Sequence, residues 1–279
     1  MKTYIKLITI PAIVLVFMLC AGSQTTGAQV GHSGWKLVWS DEFNGADGSS
    51  TDSSKWVLET GGNGWGNDEL EYYTARPDNS FQQGGNLVIK AIREKHTGAD
   101  GVSRDYTSAR LKTEGKFTHK FGRFEARIKI PHGQGIWPAF WMLGDDIAKK
   151  GWPKCGEIDI MENIGKEPSI VHGTIHGPGY SGGGGISSPF TLVGDQYFAD
   201  DFHVYAVEWE KKAIRFYVDD HLYATRTPAD LPKGTKWVYQ HPFFIILNVA
   251  VGGGWPGSPD NTSGFPQTML VDYVRVYKR

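Results

Sequence analysis

Cysteine is scarce in this sequence, and so is an excess of charge of either sign. Only two cysteines occur in 279 residues, and only Cys155 lies outside the first 28, so the rest of the chain can form no internal disulfide. The 29 lysines and arginines nearly balance the 30 aspartates and glutamates, which gives a formal net charge of -1. This balance argues against nucleic acid as a partner. Stability must therefore come from an ordinary hydrophobic core.

Long apolar runs are also absent, except near the N-terminus. Two lysines precede a mostly apolar stretch from Leu7 to Leu19, and small and polar residues follow as far as Ala28. This order is typical of a secretory signal peptide, and the stretch is shorter than the roughly 20 residues that span a bilayer. The sequence predicts a signal peptide over residues 1–28 and a secreted protein, extracellular or periplasmic, with no membrane association after cleavage. Lipid attachment at Cys20 is the alternative.

Glycine and aromatic residues are abundant, with 36 glycines and 10 tryptophans. Glycine and proline punctuate turns, whereas aromatic residues favour strands. Short runs that alternate apolar and polar residues recur along the chain, without a long helical pattern, a repeat or a linker. The sequence predicts one all-β domain over residues 29–279, an antiparallel sandwich or jelly roll. The predicted strands are Trp35–Ser40, Asn86–Arg93, Phe121–Ile130, Ile136–Leu143, Ile158–Glu162, His203–Trp209, Ala213–Val218, Phe243–Val251 and Leu270–Tyr277.

Three acids lie within six residues of an otherwise apolar strand, at Glu157, Asp159 and Glu162. Residues two apart in a regular strand face the same way, so Glu157 and Asp159 share a face. Glu162 is five residues from Glu157 and would face the opposite side. A β-bulge at Ile160–Met161 would add one residue and turn Glu162 to the face of the other two. The sequence therefore predicts a bulge in this strand.

Carboxylates that share one sheet face repel each other, so such a cluster needs a use. Retaining glycosidases provide one, because they place a nucleophilic carboxylate and an acid/base carboxylate about 5 to 5.5 Å apart. Asp159 can then hydrogen-bond the nucleophile and keep the proton affinity of the acid high. A solvated strand face and a calcium site are the alternatives. The first should show polar residues between the acids, and the second needs further oxygen ligands from a loop.

Further segments with a distinctive order of residues surround the cluster: Trp39–Phe43, Asn67–Thr74, Ser108–Arg110, Gly122–Glu125, Trp137–Leu143, His172–His176, Asn248–Gly257 and Asp272–Tyr277. Together with residues 156–165, these segments resemble glycoside hydrolase family 16, in its laminarinase-like branch of endo-β-1,3-glucanases. The resemblance implies a concanavalin A-like jelly-roll sandwich of two antiparallel sheets with a concave glycan cleft. It also implies a β-glucan substrate such as laminarin and no cofactor for catalysis. We expect a monomer.

The resemblance also assigns roles to the three acids. Glu157 would be the nucleophile, Asp159 its assistant and Glu162 the acid/base of a retaining double displacement. Met161 lengthens the motif as in the laminarinase branch, which supports cleavage of internal β-1,3 linkages. Mixed-linkage β-glucan, agarose or carrageenan are alternative substrates within the family. A glycan-binding module without activity is the alternative outside enzymes.

Several more residues match sugar-binding positions of the family. Trp137 and Trp141, four apart on one strand, share a face and would be sugar platforms, with core packing as the alternative. Trp255 lies in a glycine-rich loop where burial is harder, which favours sugar contact. The residues expected to hydrogen-bond sugar hydroxyls are Asn67, Glu71 and Arg110. Relatives commonly carry glutamine at the position of Glu71, which makes its sugar contact less secure.

Two histidines and three possible metal ligands complete the set. His172 and His176 lie four apart on a strand, roughly 13 Å, which is too far for one zinc ion. His176 would instead touch the sugar or support a catalytic acid. Glu42, the carbonyl of Gly85 and Asp272 match a structural calcium site of the family on the convex side, with a surface salt bridge as the alternative.

Overall fold

Alternating side chains build strands that each bury one face. In the strand Ala213–Val218, for example, Ile214, Phe216 and Val218 are buried while Arg215 is half-buried. The computed structural model describes Met1 and residues 34–279, so the predicted signal peptide lies outside the described residues apart from its first residue. The strands are β1 (Lys36–Asp41), β2 (Val57–Glu59), β3 (Glu71–Tyr73), β4 (Ser80–Gln83), β5 (Asn86–Thr97), β6 (Ser103–Ser108), β7 (Arg110–Lys112), β8 (Gly122–Lys129), β9 (Ile136–Gly144), β10 (Glu157–Glu162), β11 (Ile170–His176), β12 (Ile186–Thr191), β13 (His203–Glu210), β14 (Ala213–Val218), β15 (His221–Arg226), β16 (Phe243–Val251) and β17 (Gln267–Lys278).

Helix is limited to short pieces in the described part of the chain. The α-helix α1 (Ile147–Lys150) lies between β9 and β10, and two 3₁₀ helices span Gly182–Gly184 and Pro228–Asp230. None of these helices is long and apolar enough to cross a membrane.

The strands form two sheets, as predicted. The seven-stranded sheet has the order β12-β11-β10-β9-β16-β7-β2. The ten-stranded sheet has the order β15-β14-β13-β8-β17-β5-β6-β3, with β1 also paired to β17 and β4 to β5. The prediction of purely antiparallel sheets needs one correction, because β3 and β6 pair in parallel. Two strands, β4 and β5, separate them in the chain, so β6 returns in the direction of β3.

The core lies between the sheets and consists of their facing apolar side chains. Strand β16 is buried along its whole length. Its other face is covered in part by a second, smaller cluster that joins Phe244 and Ile246 to Leu143 and Cys155. Cys155 is fully buried, and burial raises the pKa of its thiol to about 11. The seven-stranded sheet is thus held rigidly at the strands that carry the acid cluster.

Candidate active site

The predicted bulge is present in β10. On the β9 side, Asp159 is opposite Trp141 and Met161 is opposite Phe140, so Ile160 is the extra residue without a partner. The pairing with β11 is interrupted between Asp159 and Glu162 as well. Both Ile160 and Met161 pack into the core, although they are consecutive. The side chain of Glu162 is therefore turned to the outer face of the sheet.

Glu157, Asp159 and Glu162 consequently line one cleft of about 330 Å³ on the outer face of the seven-stranded sheet. The strand has no other polar residues. Its remaining side chains belong to the core, as Ile158 illustrates. Asp159 is buried and Glu157 and Glu162 are half-buried, so the three acids do not form an ordinary solvated strand face.

Glu157 is held from two sides. Its Oε2 accepts a hydrogen bond of 2.5 Å from the indole Nε1 of Trp152, a residue of the β9–β10 loop. Its Oε1 lies 3.8 Å from Nε2 of His176, which is opposite Glu157 on β11. The same Nε2 lies 3.0 Å from Oδ2 of Asp159. His176 thus lies behind the two acids, in the supporting position that was one of its two predicted roles.

Glu162 has its own donors. Its Oε1 accepts from Nε1 of Trp137 at 3.2 Å, and its Oε2 accepts from the hydroxyl of Thr174 at 3.4 Å. Trp137 is therefore more than a platform, because its polar edge binds an acid of the cluster.

The electrostatics of the cluster favour protonation. Burial raises the pKa of Glu157 to about 8, and the neighbouring charge of Asp159 adds to the shift. Burial raises the pKa of Glu162 to about 7, while His176 opposes the shift. The pKa of Asp159 is raised well above its usual range, first by burial and then by the charge of Glu162. Because the three carboxyls repel each other in a site with little water, they do not all ionise at neutral pH.

Aromatic rings form the floor of the cleft beside the acids. Trp137 and Trp141 both line it, as predicted from their spacing. Trp141 donates its Nε1 to Oδ1 of Asn248 at 2.7 Å. The guanidinium of Arg110 lies 4.7 Å from the ring centroid of Trp65 and 4.8 Å from that of Trp141. Flat apolar rings next to polar groups suit a sugar, whose C–H face stacks while its hydroxyls hydrogen-bond.

Asn67 reaches the cleft, whereas Glu71 does not. Asn67 lines the cleft and donates to Oε1 of Glu69 at 3.0 Å. Glu71 is fully buried, and its Oε2 accepts the backbone N–H of Val251 at 2.6 Å. The prediction that Glu71 hydrogen-bonds sugar is therefore wrong. The acid that lines the cleft in this segment is Glu69.

Trp255 stands at the edge of the site. Its side chain is exposed, and its ring contacts Trp137 edge-on at 5.5 Å between centroids. It also contacts the ring of His172 at 5.2 Å. The exposure predicted from the glycine-rich loop is confirmed, and sugar contact by Trp255 stays a prediction.

The expected calcium ligands are engaged elsewhere. Both oxygens of Glu42 bind Arg275, at 3.0 and 2.7 Å. Oδ2 of Asp272 accepts from Arg127 at 2.8 Å. Gly85 lies in the turn before β5, which pairs with β17. Because arginines neutralise both carboxylates, the arrangement matches the salt-bridge alternative, and these side chains do not fit a preformed calcium cage. Calcium binding at Glu42, Gly85 and Asp272 stays a prediction.

One set of side chains in the described region could hold a metal ion. It consists of Glu157, Asp159 and His176, whose ligand atoms all lie within 4.8 Å of one another. His172 is not part of it, which agrees with the rejection of a zinc site built on the two histidines.

Comparison with known proteins decides the family. The sequence pattern of the family described as "Glycosyl hydrolases family 16" matches residues 67–275. The chain belongs to this family. It is therefore a glycoside hydrolase, and the resemblance read from the sequence is confirmed.

Relatives of family 16 resemble the chain over most of its length. A protein named beta-glucanase from Rhodothermus marinus is 44% identical over 261 residues, which cover 88% of this chain and 85% of the relative. The crystal structure of the laminarinase catalytic domain from Thermotoga maritima MSB8 has a TM-score of 0.83 at 50% identity, covering 88% of this chain and 98% of that one. The endo-beta-1,3-glucanase from Pyrococcus furiosus also has a TM-score of 0.83 at 50% identity, with 88% and 94% covered.

The sequence analysis missed several side chains that complete the site. Trp152 is five residues before Glu157, in a short Gly-Trp-Pro segment, and an aromatic residue so near an acid cluster was the available signal. Glu69 lies inside a segment already recognised. Thr174 and Asn248 also lie inside recognised segments, but their contacts with Glu162 and Trp141 depend on strand pairing across the sheet. Trp65 lies in the turn before β3, outside those segments, and nothing local marked it.

Proposed function

We propose that this protein is a retaining endo-β-1,3-glucanase that hydrolyses internal linkages of glucans such as laminarin. The observation that carries the proposal is the bulge at Ile160, which gathers Glu157, Asp159 and Glu162 in a cleft floored by tryptophans. The laminarinase and glucanase names of the relatives at 44–50% identity support the β-1,3 linkage. Mixed-linkage and galactan substrates are outcomes that the test below distinguishes.

In the first step, the ionised carboxylate of Glu157 attacks the anomeric carbon and forms a covalent glycosyl ester. Glu162 donates its proton to the departing glycosidic oxygen. A pKa near 7 suits this acid, because about half of the groups are still protonated at neutral pH and the proton is given readily. Trp137 and Thr174 orient the Glu162 carboxyl for the transfer.

In the second step, the ionised Glu162 removes a proton from water, and the water attacks the anomeric carbon. The ester to Glu157 breaks and the sugar leaves with its original anomeric configuration. Two carboxyls and water supply all of this chemistry, so enzymes of this kind need no cofactor for catalysis.

Asp159 and the donors around Glu157 decide which acid is ionised. Asp159 is 2% exposed and is the least exposed of the three acids. In the proposal it keeps a proton and donates it to Glu157, while Trp152 donates to the other oxygen. Hydrogen bonds to the charged form oppose the burial that raises the pKa of Glu157 to about 8, so part of the protein at neutral pH carries an ionised Glu157 beside a protonated Glu162.

The test compares wild-type protein with Glu157→Ser on laminarin, lichenan and agarose. Oligosaccharide profiling should show internal cleavage of laminarin by the wild type, with a loss of at least about a thousandfold in the variant. Proton NMR of the first products should show the β-anomer. Cleavage of agarose but not laminarin would replace the substrate assignment. Laminarin binding without sugar release by either protein would support the glycan-binding module instead.

We also propose that residues 1–28 direct export and are removed, and that the remaining domain acts outside the cytoplasm as a monomer. The order of charged, apolar and small residues supports the leader. Mass spectrometry of protein recovered from the producing cells tests it, since the proposal predicts a new N-terminus near residue 29. A mature protein that keeps residues 1–28 would overturn the proposal.

A further inference from the structure

The cleft wall that carries Asn67 depends on a buried acid that catalysis does not use. Glu71, the first residue of β3, is 0% exposed. Its Oε2 accepts the backbone N–H of Val251, the last residue of β16. The backbone N–H of Leu70 donates to the carbonyl of the same Val251 at 2.7 Å. Glu71 therefore clamps the end of β16 to the segment that precedes β3.

Two loops that meet the cleft are joined at this clamp. The Asn67–Leu70 segment leads into β3, and the Gly252–Trp255 segment leaves β16. The backbone N–H of Gly254 donates to the carbonyl of Asn67 at 2.9 Å. Gly252 is so close to Leu70 that a Cβ there would come within 2.6 Å of its side chain. A shift of one segment would therefore move the other, and with it both Asn67 and Trp255.

The remaining oxygen of Glu71 has an acidic neighbour in place of a donor. Oε1 is buried, and no donor among the described residues reaches it. The carboxyl of Glu69, which lines the cleft, is within hydrogen-bond reach of Glu71. Two carboxyl groups can share a hydrogen bond only if one of them carries a proton. Without that proton, two buried negative charges would lie side by side.

Among residues 34–279, no cation is paired with Glu71. The charged or titratable groups that face it are Glu69 from the preceding segment, whose charge disfavours a negative charge on Glu71, and Tyr73 from β3, a neutral phenol whose own pKa is raised by burial and by both acids. The cation of this region is Arg110 on β7, which is paired with Glu59 at 2.6 Å. The side chain opposite Glu71 on β6 is Tyr106. Burial, followed by the charge of Glu69, raises the pKa of Glu71 well above its ordinary value of 4.5.

We propose that Glu71 is a positioning residue that holds the Asn67 and Trp255 segments in their glucan-binding arrangement only while it carries a proton shared with Glu69. In its protonated form Glu71 donates to Glu69 and keeps the clamp on Val251. Loss of that proton drives the two carboxylates apart and loosens the wall of the cleft. Substrate binding then weakens at alkaline pH, separately from any loss of catalysis.

The matched variant is Glu71→Gln, which keeps the shape of the side chain and donates to Glu69 at every pH. Glu210→Gln, on a half-exposed side chain of the other sheet, makes the same change of net charge and is the control. The kinetic readout rests on the proposed glucanase function. Thermal unfolding does not, so the two inferences can fail separately.

Unfolding is measured between pH 4.5 and 9.5. A raised pKa in the folded state means that the stabilising effect of the proton is complete below the ordinary pKa and is lost as pH rises through the folded value. The melting temperature of Glu71→Gln should therefore equal that of the wild type near pH 4.5 and exceed it increasingly toward alkaline pH. Glu210→Gln should show no such trend. A difference between Glu71→Gln and wild type that does not change with pH would overturn the proposal.

Kinetics on laminarin supply the second readout. The KM of the wild type should rise roughly tenfold over the alkaline range, as expected for a lost hydrogen bond to a charged group, while that of Glu71→Gln changes by less than about twofold. The kcat of both should fall together, because Glu162 loses its proton in both. Equal KM profiles would contradict a positioning role. Absence of laminarin hydrolysis in both proteins would refute the proposed substrate, and the unfolding curves would still decide the role of Glu71.

Discussion

The indole nitrogen of Trp152 lies 2.5 Å from Oε2 of Glu157. Glu157 is fixed by a strand in the middle of a sheet, whereas the Trp152 side chain is 48% exposed in the loop that contains α1. The proposed nucleophile is thus tuned by a side chain that contributes little to folding. Changes at Trp152 should affect the chemistry of the site more than the stability of the protein.

Replacing Trp152 with phenylalanine keeps an aromatic ring but removes the N–H. The hydrogen bond from Trp152 lowers the pKa of Glu157, so its loss should raise that pKa. Because the nucleophile must be ionised, the acidic limb of the kcat/KM profile should move to higher pH. The value at the optimum should fall about tenfold, as expected for a hydrogen bond to a charged group. Trp255→Phe, which changes a tryptophan at the rim, should leave the limb in place.

The basic limb of the kcat/KM profile should move when Trp137 is replaced. The N–H of Trp137 lowers the pKa of Glu162, which burial has raised to about 7. The general acid must be protonated, so activity should fall as pH rises through about 7. In Trp137→Phe the pKa rises further and the basic limb should move to higher pH. Thr174→Val should move it in the same direction by less, since that hydrogen bond is longer. A limb that moved to lower pH would contradict the acid role of Glu162.

Arg110 offers a test of sugar binding apart from catalysis. Its guanidinium lies between the rings of Trp65 and Trp141 and pairs with Glu59, apart from the acids of β10. Lysine keeps the charge but loses the flat, forked group. Arg110→Lys should raise KM for laminarin roughly tenfold and change kcat by less than about twofold. Arg215→Lys, on the other sheet, is the control. An equal fall of kcat would place Arg110 in the chemical step.

Replacement of Asp159 should raise the stability of the protein and lower its activity. Its folded-state pKa is raised, so its favourable contribution is complete below its ordinary pKa of 3.8 and is lost as pH rises. Asp159→Asn removes the cost of keeping this buried carboxyl protonated at neutral pH and should raise the melting temperature there, by about 2 to 4 °C for each kcal/mol of destabilisation relieved. Its kcat on laminarin should fall by roughly a hundredfold. Calorimetry at pH 4 and pH 7 checks the sign, because the gain should shrink at pH 4.

Strands with strict alternation, such as β14, or with a nearly continuous apolar run, such as β16, were predictable almost to the residue. Strand β14 and strand β16 have the predicted bounds, because their apolar residues must face the core. The three-residue strands β2, β3 and β7 escaped prediction, since three residues show no period. Strands β7 and β3 form because longer neighbours, β16 and β6, offer them hydrogen bonds, and β2 in turn pairs with β7.

The candidate site, like the strands, could be predicted only in part. The bulge could be predicted because Glu157, Asp159 and Glu162 can share one face of the strand only if an extra residue lies between Asp159 and Glu162. The direction of the Glu71 side chain could not be predicted. Glu71 begins a three-residue strand, and the pairing of β3 with β6 determines the side to which its side chain points. The arginine partners of Glu42 and Asp272 come from β17 and β8, and their approach depends on the register of the ten-stranded sheet.

The covalent intermediate provides the most direct measurement of the central claim. A 2-deoxy-2-fluoro β-glucosyl fluoride carrying a β-1,3-linked glucose should glycosylate the Glu157 carboxylate with loss of fluoride, and the glycosyl ester should hydrolyse slowly because the 2-fluorine destabilises the second transition state. Mass spectrometry of the intact protein should show one added glycosyl group, and peptide mapping should place it on Glu157. A label on Glu162, or hydrolysis of the reagent with inversion and no label, would contradict the account.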